Sequence, residues 1–146
     1  MSAKKKVEEV SVEFGIQNIE ILEKSFRVTQ LIENKAPETQ YELSFDIRVD
    51  EINKFIIDML QVKIKTNHDE FVVGSLTLSC TFLITNFLEI VKKNSQNTMT
   101  IPDSLIETLN IITIGTARGI IFNEFKGTWL HKNILPIIDP KSFKPN

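Results

Sequence analysis

This chain is poor in the residues that most often carry chemistry or lock a fold. It has one cysteine, two histidines, five glycines and five prolines in 146 residues. A lone cysteine, Cys80, excludes an intramolecular disulfide. It shares an alternating run with Leu78, Phe82 and Ile84, the setting of a small buried core residue. His68 and His131 stand in no metal-ligand spacing and in no nucleophile–base frame, and there is no glycine-rich phosphate loop. Neither sign of charge dominates. With 17 basic and 19 acidic residues the net charge is -2, which offers no broad attraction to nucleic acid. No uninterrupted apolar run reaches membrane-spanning length. The three lysines of Met1 to Lys6 lead into Val7, Glu8, Glu9 and Val10 rather than a secretory apolar core. These absences argue for a cytoplasmic protein with no metal, no cofactor, no nucleic-acid partner and no membrane insertion, and against an enzyme.

What the chain does have is hydrophobic residues, 42% of the total, in strongly patterned segments. The length suits one domain, here 10–146, after a solvated tail at 1–9. The most informative segment runs from Ile101 to Thr128. Pro102 suits a first helical turn and Gly127 a stop. Between them Leu105, Ile106, Leu109, Ile111, Ile112, Ile114, Ala117, Ile120, Ile121, Phe122 and Phe125 make a helix apolar on nearly every side. A helix on a single sheet needs one apolar stripe, so this one requires cover from more than one direction, and a second copy of the chain is the expected source. Gly115 and Gly119, four apart, form a smooth strip that lets another backbone approach. Leu109, Ile112, Gly115, Gly119 and Ile120 are the candidate oligomer interface.

Four strand-like segments precede the helix. Val10 to Val28 has imperfect spacing and predicts a bulge near Gly15 or Asn18. A crossover from Val28 to Gln40 carries Leu31 and Ile32. From Tyr41 to Val49 the alternation is strict: Tyr41, Leu43, Phe45, Ile47 and Val49 on one face, Glu42, Ser44, Asp46 and Arg48 on the other. From Lys54 to Thr66, Ile56, Leu60, Val62 and Ile64 share one parity while Phe55, Ile57 and Met59 share the other. That strand therefore has a second covered face or an exposed apolar patch. Asn67 to Asp69 makes a hairpin tip, and Glu70 to Ile90 reads as a long fourth strand. Lys92 to Thr98 is a polar connector, Trp129 to Pro136 an extended linker, and Pro140 to Phe143 at most a short turn.

The order of these elements and several local matches resemble the SecB protein-export chaperone family. Phe14, Ile16, Ile19 and Lys24-Ser25-Phe26 are similar to its first strand. Phe82-Leu83-Ile84, Ala117-Arg118 and Gly127-Thr128 resemble its later half, and Leu135-Pro136-Ile137 with Ser142-Phe143 the linker into its last helix. The resemblance spans about Val10 to Phe143 and rests on order and spacing. It implies an α+β fold, a four-stranded antiparallel sheet with one long helix packed on one face. It further implies that protomers pair into an eight-stranded sheet, that two such dimers sandwich their helices into a homotetramer, and that the assembly holds unfolded polypeptides without nucleotide or covalent chemistry. The chain departs from the family in three ways. It stops at Asn146, where a second helix is expected. Of the acidic positions that dock the export motor ATPase, matched to Glu23, Arg27 and Ser75, only Glu23 is acidic. The net charge is only mildly negative. These departures weaken the case for motor docking and leave intact that for a holdase in protein transport, keeping clients soluble for export or hand-over.

The expected activity is thus retention of unfolded clients in apolar grooves, lined by Leu31, Ile32, Phe55, Ile57, Met59, Leu83, Phe87, Trp129 and Leu130. A SecB-like module dedicated to one partner, such as an antitoxin of a toxin–antitoxin system, is the alternative. A small-molecule enzyme is the alternative from another class, disfavoured by the missing chemistry.

Overall fold

The computed structural model describes residues 11–27, 38–66, 72–128 and 130–139. The expected tail at 1–9, most of the crossover, the hairpin tip at 67–69 and the terminal turn at 140–143 lie outside them. Strands β1 (Phe14–Phe26), β2 (Thr39–Asp50), β3 (Phe55–Thr66) and β4 (Val72–Ile84) form one antiparallel sheet in the order β1-β4-β3-β2. A short helix α1 (Phe87–Ile90), a ribbon of β5 (Lys92–Lys93) and β6 (Met99–Thr100), and the long helix α2 (Asp103–Phe125) follow. Helix α2 packs across β3 and β4 on one face of the sheet. This is the α+β architecture that the sequence resemblance implies.

The core is the contact of that face with α2. Ile56, Leu60, Val62 and Ile64 of β3 and Leu76, Leu78, Cys80, Phe82 and Ile84 of β4 are fully buried. The register sets Leu60 opposite Leu78 and Ile56 opposite Phe82, so the two apolar rows line up. From α2 come Leu105, Leu109, Thr113, Ala117, Ile121 and Phe125, one every fourth residue. Each large aliphatic or aromatic side chain buried here contributes about 1.5–3 kcal/mol. By length and composition α2 would also suit a membrane span, a property it shares with core helices.

Two segments differ from the sequence reading. The fourth strand ends at Ile84, not Ile90. Asn86 turns the chain into α1, its side chain accepting from Glu13 N at 3.2 Å and donating to the Ser11 carbonyl at 2.9 Å. The turn drives Phe87 and Ile90 into the core. The polar connector is a small ribbon whose turn is held by Asn94 Oδ1, which accepts from the amides of Gln96 and Thr98, both at 2.9 Å.

Strand β1 contains two bulges, between Ile16 and Asn18 and between Ile21 and Glu23. Each extra residue resets the alternation. Ile16, Ile19 and Ile21 consequently pair with Phe82, Cys80 and Leu78 and share the helix-bearing face. Phe26 pairs with Gly74, and its ring meets Phe125 edge-on at 5.5 Å. A Cβ at Gly74 would sit 2.7 Å from the Phe26 ring, so only glycine admits this ring. We expect Gly74→Ala to cost about 1–3 kcal/mol in denaturant titration, by overpacking against a sheet with little slack. Ile52→Ala, at a turn residue 92% exposed, should change stability by less than about 0.5 kcal/mol.

Candidate functional site

Among the described residues, and besides the exposed Ile52, Leu88, Ile134 and Ile137, uncovered apolar side chains gather in three places on the sheet and helix. The first is the sheet face away from α2. The pleat that buries Ile56 and Leu60 turns Phe55, Ile57 and Met59 outward, only partly covered. Leu83, opposite Phe55, joins them at 39% exposure. The neighbouring positions are polar: Asp46, Arg48 and Asp50 on β2, Ser79 and Thr81 on β4. Two ion pairs lie along the β2 side, Arg48–Asp46 at 3.1 Å and Lys65–Glu42 at 2.8 Å. The Lys65 ammonium, by hydrogen bond and charge, holds the Glu42 carboxyl below its usual range. The result is a small apolar strip within a polar, charge-balanced frame.

The second place is the flank of α2 over β1. This edge strand extends beyond the helix's cover, so Ile16, Ile19, Ile21 and bulge residue Leu22 are each about half exposed. The third is the outer side of α2, where Ile111 and Phe122 are also about half exposed. Gly115 and Gly119 lie between them. A Cβ on Gly119 would meet nothing within 4 Å, and one on Gly115 only the tip of Arg118 at 3.9 Å. Packing within the protomer therefore does not demand either glycine.

The chain after α2 folds back along the helix. Arg118 fastens it, donating from Nε to the Leu135 carbonyl at 2.8 Å and from a terminal nitrogen to the Pro136 carbonyl at 3.0 Å. Tyr41 donates to the Asn133 carbonyl at 3.2 Å. Between helix and linker is a half-open cleft of about 180 Å³, lined by Ile111, Ile114, Arg118, Ile137 and Ile138.

Of the expected groove residues, the structure brings Phe55, Ile57, Met59 and Leu83 together on the open sheet face. Phe87 and Leu130 are instead core residues, at 2% and 0% exposure. Phe87 is drawn inward by the α1 turn, and Leu130 follows closely on the helix stop at Gly127, whose φ is 81°. Leu31, Ile32 and Trp129 lie outside the described residues. Of the expected interface residues, Gly115 and Gly119 face outward, and Ile112 and Ile120 are partly buried at the core's margin. Leu109 is fully buried against the protomer's own sheet and has no surface to offer a second copy.

Sequence reasoning missed the exposed flank of β1, because the bulges hide its common face. It also missed Asp58, an acid in the fully buried row of β3. The signal was a charge among Ile56, Leu60 and Val62 at the same parity. Thr113 donates to Asp58 Oδ2 at 2.9 Å. With its amide turned nitrogen-first, Asn110 donates to Oδ2 at 2.8 Å and Oδ1 at 3.3 Å. Burial pushes the Asp58 carboxyl up to about 7, and the Thr113 hydroxyl only partly opposes that rise. Among the described residues no group of His, Cys, Asp and Glu is arranged to hold a metal ion.

No protein-family model and no curated protein matches the sequence. Among solved structures, the chain matches the SecB-like chaperone Rv1957 of Mycobacterium tuberculosis, determined in complex with a ChAD peptide from the Rv1956 HigA1 antitoxin. The TM-score is 0.55 at 13% identity, covering 86% of this chain and 90% of that one. The fold is SecB-like. At that identity the likeness is one of fold and transfers no residue's role. The four-stranded sheet and single long helix implied by the sequence resemblance are thus present.

Arg118→Ala leaves the Leu135 and Pro136 carbonyls without their donor. The expected cost is about 1–3 kcal/mol. Amide exchange should accelerate over residues 130–139 while the β3 and β4 amides keep their protection.

Proposed function

We propose that this SecB-like protein is a holdase, binding non-native polypeptide through apolar surface that its own protomer leaves open. The observation that carries the reading is the strip of Phe55, Ile57, Met59 and Leu83, grouped on one sheet face and bordered by polar residues. An unfolded segment can lay apolar side chains there, each buried methylene contributing about 0.8 kcal/mol, with little demand on sequence. Met59 adds an adaptable thioether surface. The fold shared with a chaperone that holds a peptide supports the same reading.

The remaining apolar surfaces suit assembly. Two copies joined at β1 would cover Ile16, Ile19, Ile21 and Leu22, and two such pairs meeting on α2 would cover Ile111 and Phe122, with Gly115 and Gly119 allowing close approach. This gives a dimer of dimers. Docking to an export motor finds little support: Glu23, the one acid retained, already accepts hydrogen bonds from Ser75 at 3.1 Å and Thr77 at 3.3 Å. A second reading, a module dedicated to one partner, is favoured by the antitoxin peptide bound to the structural neighbour. Range of clients separates the two.

In aggregation assays with several unrelated unfolded proteins, the parent should suppress aggregation of most of them. Ile57→Ser and Leu83→Ser should each weaken retention about tenfold, the equivalent of about 1.4 kcal/mol, with oligomer mass unchanged. Undiminished suppression by both variants would remove the sheet face as the site, and activity toward a single partner would favour the dedicated module. Gly119→Phe should fold normally, since the protomer has open space there, yet lose the contact across α2 and halve the solution mass.

A further inference from the structure

Asp58 is the one carboxyl fully buried among the described residues, and it sits where α2 bears on the sheet. Its register neighbours are Ile47 on β2 and Cys80 on β4. From α2 it meets only Asn110 and Thr113. No cation faces it from any of these three elements. Among the described residues the Cys80 thiol is the titratable group beside it, and burial raises its pKa, which keeps it neutral. Arg118, further along α2, is engaged with the linker carbonyls.

The hydrogen bonds depend on the state of this carboxyl. Thr113 Oγ1 is 2.9 Å from Asp58 Oδ2 and 3.0 Å from the Leu109 carbonyl, with one proton for both. When Asp58 is neutral, its O–H can donate to Thr113, whose own proton then goes to Leu109. Every group in that chain is satisfied without charge. When Asp58 is ionised, Thr113 must turn its proton to the carboxylate and release Leu109. Asn110 must then present its nitrogen, and the charge is left with neutral donors in an apolar layer.

We propose that Asp58 is a proton-operated latch that pins α2 to β3 when neutral and loosens the helix from the sheet when ionised. The linker, hung on α2 through Arg118, loosens with it. A carboxyl raised in the folded state stabilises fully below the ordinary carboxylate range, and that stabilisation is lost as pH rises through about 7. The latch is therefore closed in mild acid and opens in mild alkali. This inference stands apart from the holdase reading, because its measurements involve no client.

The test follows the Asp58 side-chain carbon by NMR and the amide exchange of α2, corrected for intrinsic rates, from about pH 5.5 to about pH 8.5. The carboxyl should titrate near neutrality. Across that range α2 protection should fall about thirtyfold relative to the β4 core, because the linked loss runs at about tenfold per pH unit up to the midpoint near 7 and stops there. Asp58→Asn should abolish the pH dependence. Thr113→Val, by removing a donor to the carboxylate, should move the midpoint upward. Titration in the ordinary carboxylate range, or the same fall in Asp58→Asn, would overturn the latch. Should Asp58→Asn fail to fold, Thr113→Val decides: an upward midpoint supports the latch and an unchanged one refutes it.

Discussion

The docking of α2 on β3 and β4 is the constraint from which the rest of the molecule follows. It buries the helix-facing rows of both strands and the helix positions from Leu105 to Phe125. It also sets a limit. One helix is too narrow to cover four strands, so an edge of the apolar face must find cover elsewhere. On the β2 side the linker supplies it, held by Arg118 and Tyr41. On the β1 side no described segment does, and Ile16, Ile19 and Ile21 stay about half exposed.

The exposed surfaces divide by character. The β1 flank and the outer side of α2 are continuous with the core, and on the outer side Gly115 and Gly119 present a smooth backbone. Such surfaces fit a second copy of a fixed shape. The strip on the opposite sheet face is smaller, lies among paired charges, and includes a flexible methionine, which fits transient segments of many shapes. A single protomer thus carries apolar surface suited to permanent burial and apolar surface suited to exchange. On the proposed function, assembly would bury the first kind and leave the second open to clients.

Much of this was legible in the residues, and the exceptions have physical causes. Strand β2 alternates without error because one of its faces is wet and the other covered. Strand β3 announced its second apolar row through Phe55, Ile57 and Met59. The breadth of the α2 apolar surface was readable, but not which parts of it the sheet would take, so Leu109 was assigned outward although it packs inward. Phe87 falls near the end of the expected fourth strand and Leu130 in the expected extended linker, where neither has a visible reason to turn inward. The turn at Asn86 and the stop at Gly127 redirect both into the core. The β1 bulges hid a coherent apolar flank, since a period of two cannot survive an inserted residue. Asp58 was passed over for a related reason. A single acid in an apolar row looks like an interruption until the helix above it supplies Thr113 and Asn110.

The proposed assembly requires that this 16.7 kDa chain cover its β1 flank and the outer side of α2 with further copies of itself. Light scattering on the purified protein, alone and with a reduced unfolded protein, tests it directly. The expected result is a mass of four copies that rises when the unfolded chain is added. A single-copy mass, unchanged by the unfolded protein, would contradict both the assembly and the activity built on it.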